Sequence, residues 1–129
     1  PSFNSNVVLL TVYPGMPDAF MDSVLPAKPD GIVLRTYGPG MLSKELFPWL
    51  QKVTEAGIPI CITSQALRGM VDLQKYRKQL ALEKLGIISG KNMTFECAVV
   101  KMMWALAQSK NPRKVRTIME KSIVGEMDD

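Results

Sequence analysis

The stretch "GIVLRTYGPG", Gly31 to Gly40, decides the fold. Ile32, Val33 and Leu34 form an unbroken apolar run, which fits a strand buried on both faces, because a half-exposed strand would alternate. Gly38, Pro39 and Gly40 must end it, since glycine admits positive φ and proline has no N–H for a ladder. Arg35 stands at the C-terminal end of this strand, just before the loop, where open parallel sheets place their ligands. Two similar runs flank it in sequence. "VVLLTVY", Val7 to Tyr13, is stopped by Pro14-Gly15, and "IPICIT", Ile58 to Thr63, runs into Ser64 and Gln65. "IISGKN" holds a very short strand or a turn.

Helical patterns fill the intervals. "DAFMDSVL" reads as a short helix with Asp18 as N-cap. In "SKELFPWLQKVTEAG", Leu46, Leu50 and Val53 share a face and Gly57 sits just past the end. Ser43 is a candidate cap, but it would leave Pro48 inside the helix, so the regular part is expected to start nearer Pro48. "DLQKYRKQLALEKLG" places Leu73, Tyr76 and Leu80 in register, with Gly86 closing the helix. "MTFECAVVKMMWALAQ" is the most apolar helix, and a last one runs from about Pro112 to Ile123. Strands alternating with helices imply parallel pairing through right-handed crossovers. The expectation is one domain over residues 1–129, a three-layer α/β/α sandwich on a small parallel sheet, Rossmann-like or flavodoxin-like.

The composition, 47% hydrophobic and 22% charged over 129 residues, is that of a globular domain. No apolar run is long enough to cross a bilayer, and nothing at the start reads as a signal peptide. A chain that opens on Pro1 reads as a piece of something longer. The net charge of +4 is mild and scattered, so a nucleic-acid groove is not implied. "KNPRKVR", Lys110 to Arg116, is the densest basic stretch. Cations at a helix start oppose the macrodipole, which hints at an anionic neighbour.

Much chemistry is excluded. The chain has no histidine and two cysteines, Cys61 and Cys97, both in apolar runs. A Cys/His metal site and a Cys–His dyad are therefore ruled out within it, and two buried reduced thiols are expected. No metal or cofactor motif stands out. Gly38-Pro39-Gly40 fails the dinucleotide fingerprint at Ser43, and no P-loop ending follows. Thr63 and Ser64 end a strand without a histidine base. Lys101, within the apolar helix, suits a Ser–Lys base or, more ordinarily, a snorkelling side chain. Carboxylates are isolated on helix surfaces, so no self-sufficient active site is visible.

Two features ask for more than solvation. Arg35 either tidies a strand end through a salt bridge or carbonyl contact, or clamps a carboxylate with two hydrogen bonds. Arg68 lies just beyond the neighbouring strand and would line the same edge. In the apolar helix, Phe95, Val99, Met102 and Leu106 form one stripe and Val100, Met103, Trp104 and Ala107 another. A helix apolar nearly all round is either the centre of a large core or covered by another domain or subunit.

Taken in order, "VVLLTVYPG", "DGIVLRTYGPG", "AGIPICITSQ", "LGIISGKNMTFECAVVKMMWAL" and "VRTIMEKSIVGEM" resemble the C-terminal domain of type I, cytoplasmic L-asparaginases. Related proteins are the asparaginase-like subunit of archaeal glutamyl-tRNA(Gln) amidotransferase and the asparaginase domain of animal lysophospholipases. The resemblance implies hydrolysis of L-asparagine to L-aspartate and ammonia by threonine nucleophiles in an N-terminal catalytic domain, on TGGT and TDT motifs that this chain lacks. It implies no catalytic residue in this chain and a partnership with that N-terminal domain. Further implications are a homo-dimer or tetramer, a cytoplasmic location, and no cofactor.

It further implies an allosteric asparagine site. The family's strand-end arginine falls on Arg35, and its effector-contacting cysteine falls on Ala66. Gly38, Gly40, Thr63, Ser64 and Gln65 are the ligand-loop candidates. The asparagine that reaches the partner subunit's active site is replaced by Met41, and the glycine of a Y-x-[TS]-G turn by Gln79. The other readings are the corresponding domain of the amidotransferase subunit, with "KNPRKVR" facing RNA, and a non-catalytic ligand-sensing or dimerising module.

Overall fold

Four parallel strands carry the described part of the molecule: β1 (Val7–Val12), β2 (Gly31–Thr36), β3 (Ile60–Thr63) and β4 (Ile88–Ser89), in the spatial order β1-β2-β3-β4. This computed structural model describes residues 3–13, 15–36, 46–63, 73–90 and 93–121. The helices among them are α1 (Asp18–Asp22), α2 (Leu46–Glu55), α3 (Leu73–Lys84), α4 (Phe95–Gln108) and α5 (Pro112–Glu120). Because each strand pairs with the next in sequence, right-handed crossovers put their connections on one face. The two cores agree. Ile32, Leu34, Ile60 and Ile62 pack with Leu46, Trp49, Leu50, Val53 and Leu82 on that face. Val33, Cys61 and Ile88 pack with Ala98, Met102, Ala105, Val115 and Met119 of α4 and α5 on the other. The result is the expected three-layer α/β/α sandwich. The order of the described strands contains no reversal, so no switch-point crevice opens among them, and α4 and α5 define what lies over the second face.

Local chemistry sets the element ends. Thr94 caps α4, its hydroxyl accepting from the Cys97 N–H, and Asn111 caps α5. Gly57, at φ +81°, ends α2, and the Ile58 N–H reaches back to the Val53 carbonyl as a Schellman pair requires. Pro48 falls in the first turn of α2, where its missing N–H costs no bond. Several boundaries differ from expectation. Pro17, not Asp18, occupies the N-cap of α1, which has no side-chain cap, and Asp18 lies in the first turn. β1 stops at Val12, and β3 starts at Ile60, because Pro59 has no N–H for the ladder and only its carbonyl pairs, with Ile32. α5 ends at Glu120 and Lys121 is already extended. In α3, Leu80 is exposed and Leu82 is buried in the core, so Leu80 does not pack as expected; the side chains of Leu73 and Tyr76 lie outside the described residues.

α4 splits as its two stripes predict. Met102 and Leu106 are buried against the sheet, while Val100 is 54% exposed and Met103 and Trp104 are half-buried. Gly31 makes this close seat possible, since a Cβ there would lie 2.8 Å from Leu106 Cδ1 and 3.0 Å from Met102 Cγ. Lys101 is buried, its Nζ donating to the Lys121 carbonyl at 2.6 Å, and it thereby fixes the end of α5. No helix among the described residues is long and apolar enough to cross a membrane.

Candidate functional site: the strand ends beneath helix α4

Arg35 is the fifth residue of β2, in register with Thr11 on β1 and Thr63 on β3. Strand side chains alternate, so Arg35 shares the face of Val33, the one α4 covers. The three residues form a polar row at the C-terminal end of the sheet, beyond the apolar Leu9, Val33 and Cys61 two residues back. Above the row stands the start of α4. The Arg35 guanidinium lies over the Phe95 ring, 4.0 Å from its centroid. The ring's negative face attracts the cation, which holds the guanidinium beside the start of α4.

Thr63 is 7% exposed, and its hydroxyl oxygen has no hydrogen-bond partner among the described residues. Its methyl is held against β4, because a Cβ at Gly90 would come within 2.8 Å of Thr63 Cγ2 and 3.0 Å of the Ile62 carbonyl oxygen. Arg35 and Thr63 are thus brought together as the sequence suggests. Gly38, Gly40, Met41, Ser64, Gln65, Ala66 and Arg68 lie outside the described residues, as does the side chain of Gln79. Two participants escaped the sequence reading. Phe95 reads simply as part of an apolar stripe, although its place directly after the Thr94 cap marks it as the first residue over the strand ends. Gly90 carries no signal beyond ending a short strand.

Among the described residues, the remaining polar groups offer no catalytic constellation. Cys61 and Cys97 are free thiols; Cys61 is buried as expected, whereas Cys97, in the first turn of α4, is only half-buried. Burial, helped by the nearby Glu120 and opposed by Lys101, pushes the Cys61 thiol up to about 12. It is therefore a poor nucleophile. No three His, Cys, Asp or Glu side chains of the described residues gather as a metal would need. At the opposite end of the sheet, a cleft of about 260 Å³ lies between the ends of α2 and α3 and the start of α5, lined by Lys84, Arg113 and Arg116 among others. These cations face the carbonyl ends of two helices, which the macrodipole favours. Arg116 is further paired with Glu120 at 3.2 Å.

Comparison with known proteins places this architecture. The family model of the glutaminase/asparaginase C-terminal domain matches residues 6–119. The chain is 36% identical over 129 residues to an L-asparaginase of Thermococcus kodakarensis, covering 98% of this chain and 39% of that protein. It is 34% identical over 121 residues to a glutamyl-tRNA(Gln) amidotransferase subunit of Pyrococcus abyssi, covering 94% of this chain and 28% of that one. Among solved structures, the thermostable L-asparaginase from Thermococcus kodakarensis superposes with a TM-score of 0.80 at 34% identity, over 100% of this chain and 40% of that one. L-asparaginase I from Vibrio cholerae gives a TM-score of 0.79 at 28% identity, over 99% of this chain and 39% of that one. The chain therefore spans well under half the length of these relatives.

Proposed function

Since this chain belongs to the glutaminase/asparaginase C-terminal domain family, we propose that it is the smaller, non-catalytic domain of an amidohydrolase that converts L-asparagine to L-aspartate and ammonia. The threonine nucleophiles reside in an N-terminal domain of the same protein. The observation that carries this reading is the likeness in fold to an asparaginase whose chain extends well beyond it, with 40% of that chain covered. It is reinforced within the described residues by a site that recognises without reacting: a stacked guanidinium and a buried hydroxyl, with no base beside them.

In this role the domain closes the active site and builds the homo-oligomer through the outer stripe of α4, Val100, Met103 and Trp104. Arg35 serves as the carboxylate clamp of an amino-acid effector site. Ala66 stands where relatives place a contacting cysteine, so effector binding is weaker than in them. Gly38, Gly40, Ser64 and Gln65 are the further residues that the resemblance assigns to this effector site. Met41, in place of the asparagine that reaches the partner's active site, alters substrate geometry there. The protein acts in the cytoplasm and needs no cofactor.

A second reading is the corresponding domain of a tRNA-dependent amidotransferase, favoured by the 34% identity to the Pyrococcus abyssi protein. One assay separates the two. Full-length protein is incubated with L-asparagine, with and without glutamyl-tRNA(Gln), and ammonia is measured. Release from free asparagine alone supports the asparaginase. Release that requires the tRNA supports the amidotransferase, and no release under either condition overturns both and leaves a ligand-sensing module.

A further inference from the structure

We propose that Asn4 is a positioning residue for the reaction of the full-length protein: it fastens the incoming chain to α4 and to the turn before β2, so that the catalytic domain meets this one at a fixed angle. The inference rests on the reading of this chain as the smaller domain of an amidohydrolase. The matching family model is that of a C-terminal domain, and 40% of the solved asparaginase chain is covered, so on that reading the catalytic domain joins upstream of Asn4.

Residues 3–6 lie in neither helix nor strand, and none of them belongs to either core. Such a segment stays loose unless hydrogen bonds tie it down. Here they do. The Asn4 N–H donates to the Met103 carbonyl of α4 at 2.9 Å. The Asn4 Nδ2 donates to Asp30 Oδ2 at 3.0 Å, and its Oδ1 accepts from the Asn6 N–H at 2.9 Å. Asn6 grips the same turn. Its Nδ2 donates to the Lys28 carbonyl at 2.9 Å, and its own carbonyl accepts from the Asp30 N–H at 2.8 Å.

The turn is held where it would not rest alone. Lys28, at φ +52°, is the one non-glycine residue with positive φ among the described residues. A long side chain in that region persists only where its surroundings over-determine it. The Asp30 carboxyl is held below its ordinary value chiefly by the Asn4 amide, against the cost of burial, with smaller help from Asn6 and Lys110. It is an ionised acceptor at neutral pH, which makes the bond from Asn4 one of the stronger kind. Asp30 leads straight into β2 at Gly31, and Met103 follows Met102, which packs α4 on the sheet. Asn4 therefore registers the incoming chain on strand and helix at once. Freeing it would lengthen the loose connection and let the preceding domain swing. A misplacement of about 1 Å far from the chemistry can cost about a hundredfold in rate, and changes at a hinge move kcat and KM together.

The test uses full-length protein and ammonia release from L-asparagine, with rates referred to the folded fraction measured by circular dichroism. Asn4→Asp removes the donor and sets two carboxylates against each other. It should lower kcat/KM about tenfold or more, with kcat and KM both changed. Adding Asp30→Asn exchanges donor and acceptor, so the double variant Asn4→Asp/Asp30→Asn should return to within about threefold of the wild type. A merely structural Asn4 would reduce the folded fraction and the melting point while kcat and KM of the folded molecules stayed at wild-type values, and that result overturns the proposal. Failure of the double variant to recover overturns it as well, while leaving the amidohydrolase reading in place. Absence of ammonia release by the wild type overturns that reading, and the proposal with it.

Discussion

Replacing Gly31 with alanine tests how closely α4 must sit on the sheet. Gly31 opens β2 on the face that α4 covers, and an alanine Cβ would stand 2.8 Å from Leu106 Cδ1, 3.0 Å from Met102 Cγ and 3.1 Å from Met102 Sδ. Met102 is fully buried and Leu106 is 4% exposed, so neither side chain can swing into solvent to make room. Overpacking of this kind costs about 1–3 kcal/mol. Against it stands the stiffer unfolded chain of the alanine variant, worth about 0.4–1 kcal/mol, which is fully realised because Gly31 is not among the positive-φ residues. The clash is the larger effect, and the net expectation is destabilisation by roughly 0.5–2 kcal/mol. Thermal and urea unfolding of the chain, followed by circular dichroism, should show a melting point lower by a few degrees with an unchanged urea m-value. A melting point equal to or above the wild type would mean that α4 yields freely, and would refute the claim that Gly31 sets its seat.

Four further outcomes are expected. The isolated chain should release no ammonia from L-asparagine above background, and turnover that survives purification would contradict the placing of catalysis in another domain. At neutral pH a thiol reagent should label Cys97 well before Cys61, whose thiol burial holds at about 12. The unfolded thiol ionises near 9 while the native one keeps its proton, so stability should fall as pH rises from 9 towards 12, with a shallower slope in Cys61→Ala. Sedimentation at micromolar concentration should show dimers or larger species that Met103→Glu weakens, since Met103 is half-buried beside Val100 at 54% exposure; a strictly monomeric wild type would contradict it.

What the sequence disclosed follows from the range of each interaction. β2 was legible because Ile32, Val33 and Leu34 leave no alternation, and α4 because its long apolar run repeats with helical spacing. The parallel pairing followed from strands that alternate with helices. Asp18 misled because its acidic side chain is equally at home one residue later, in the first turn, where its charge faces the helix N-terminus while Pro17 fills the N-cap. Leu80 misled because Leu80 and Leu82 are both apolar, and spacing alone does not say which of them the helix turns inward. Arg35 announced itself as an anomalous charge, but its partner Phe95 comes from a distant helix, and no local pattern encodes that stacking. Gly31 and Gly90 were equally silent, since a glycine needed for close approach looks in sequence like any strand boundary. The unsatisfied hydroxyl of Thr63 is a property of the packed state alone.

The most direct test of the central claim, that the C-terminal end of β2 is a carboxylate site, is calorimetric titration of L-asparagine into full-length protein with and without Arg35→Ala. A charge-assisted hydrogen bond contributes about 1.5–3 kcal/mol. The account therefore predicts binding about ten- to a hundredfold weaker in Arg35→Ala, with loss of cooperativity. Wild-type affinity and cooperativity in the variant would contradict it, and would make Arg35 a brace that merely ties the sheet to Phe95.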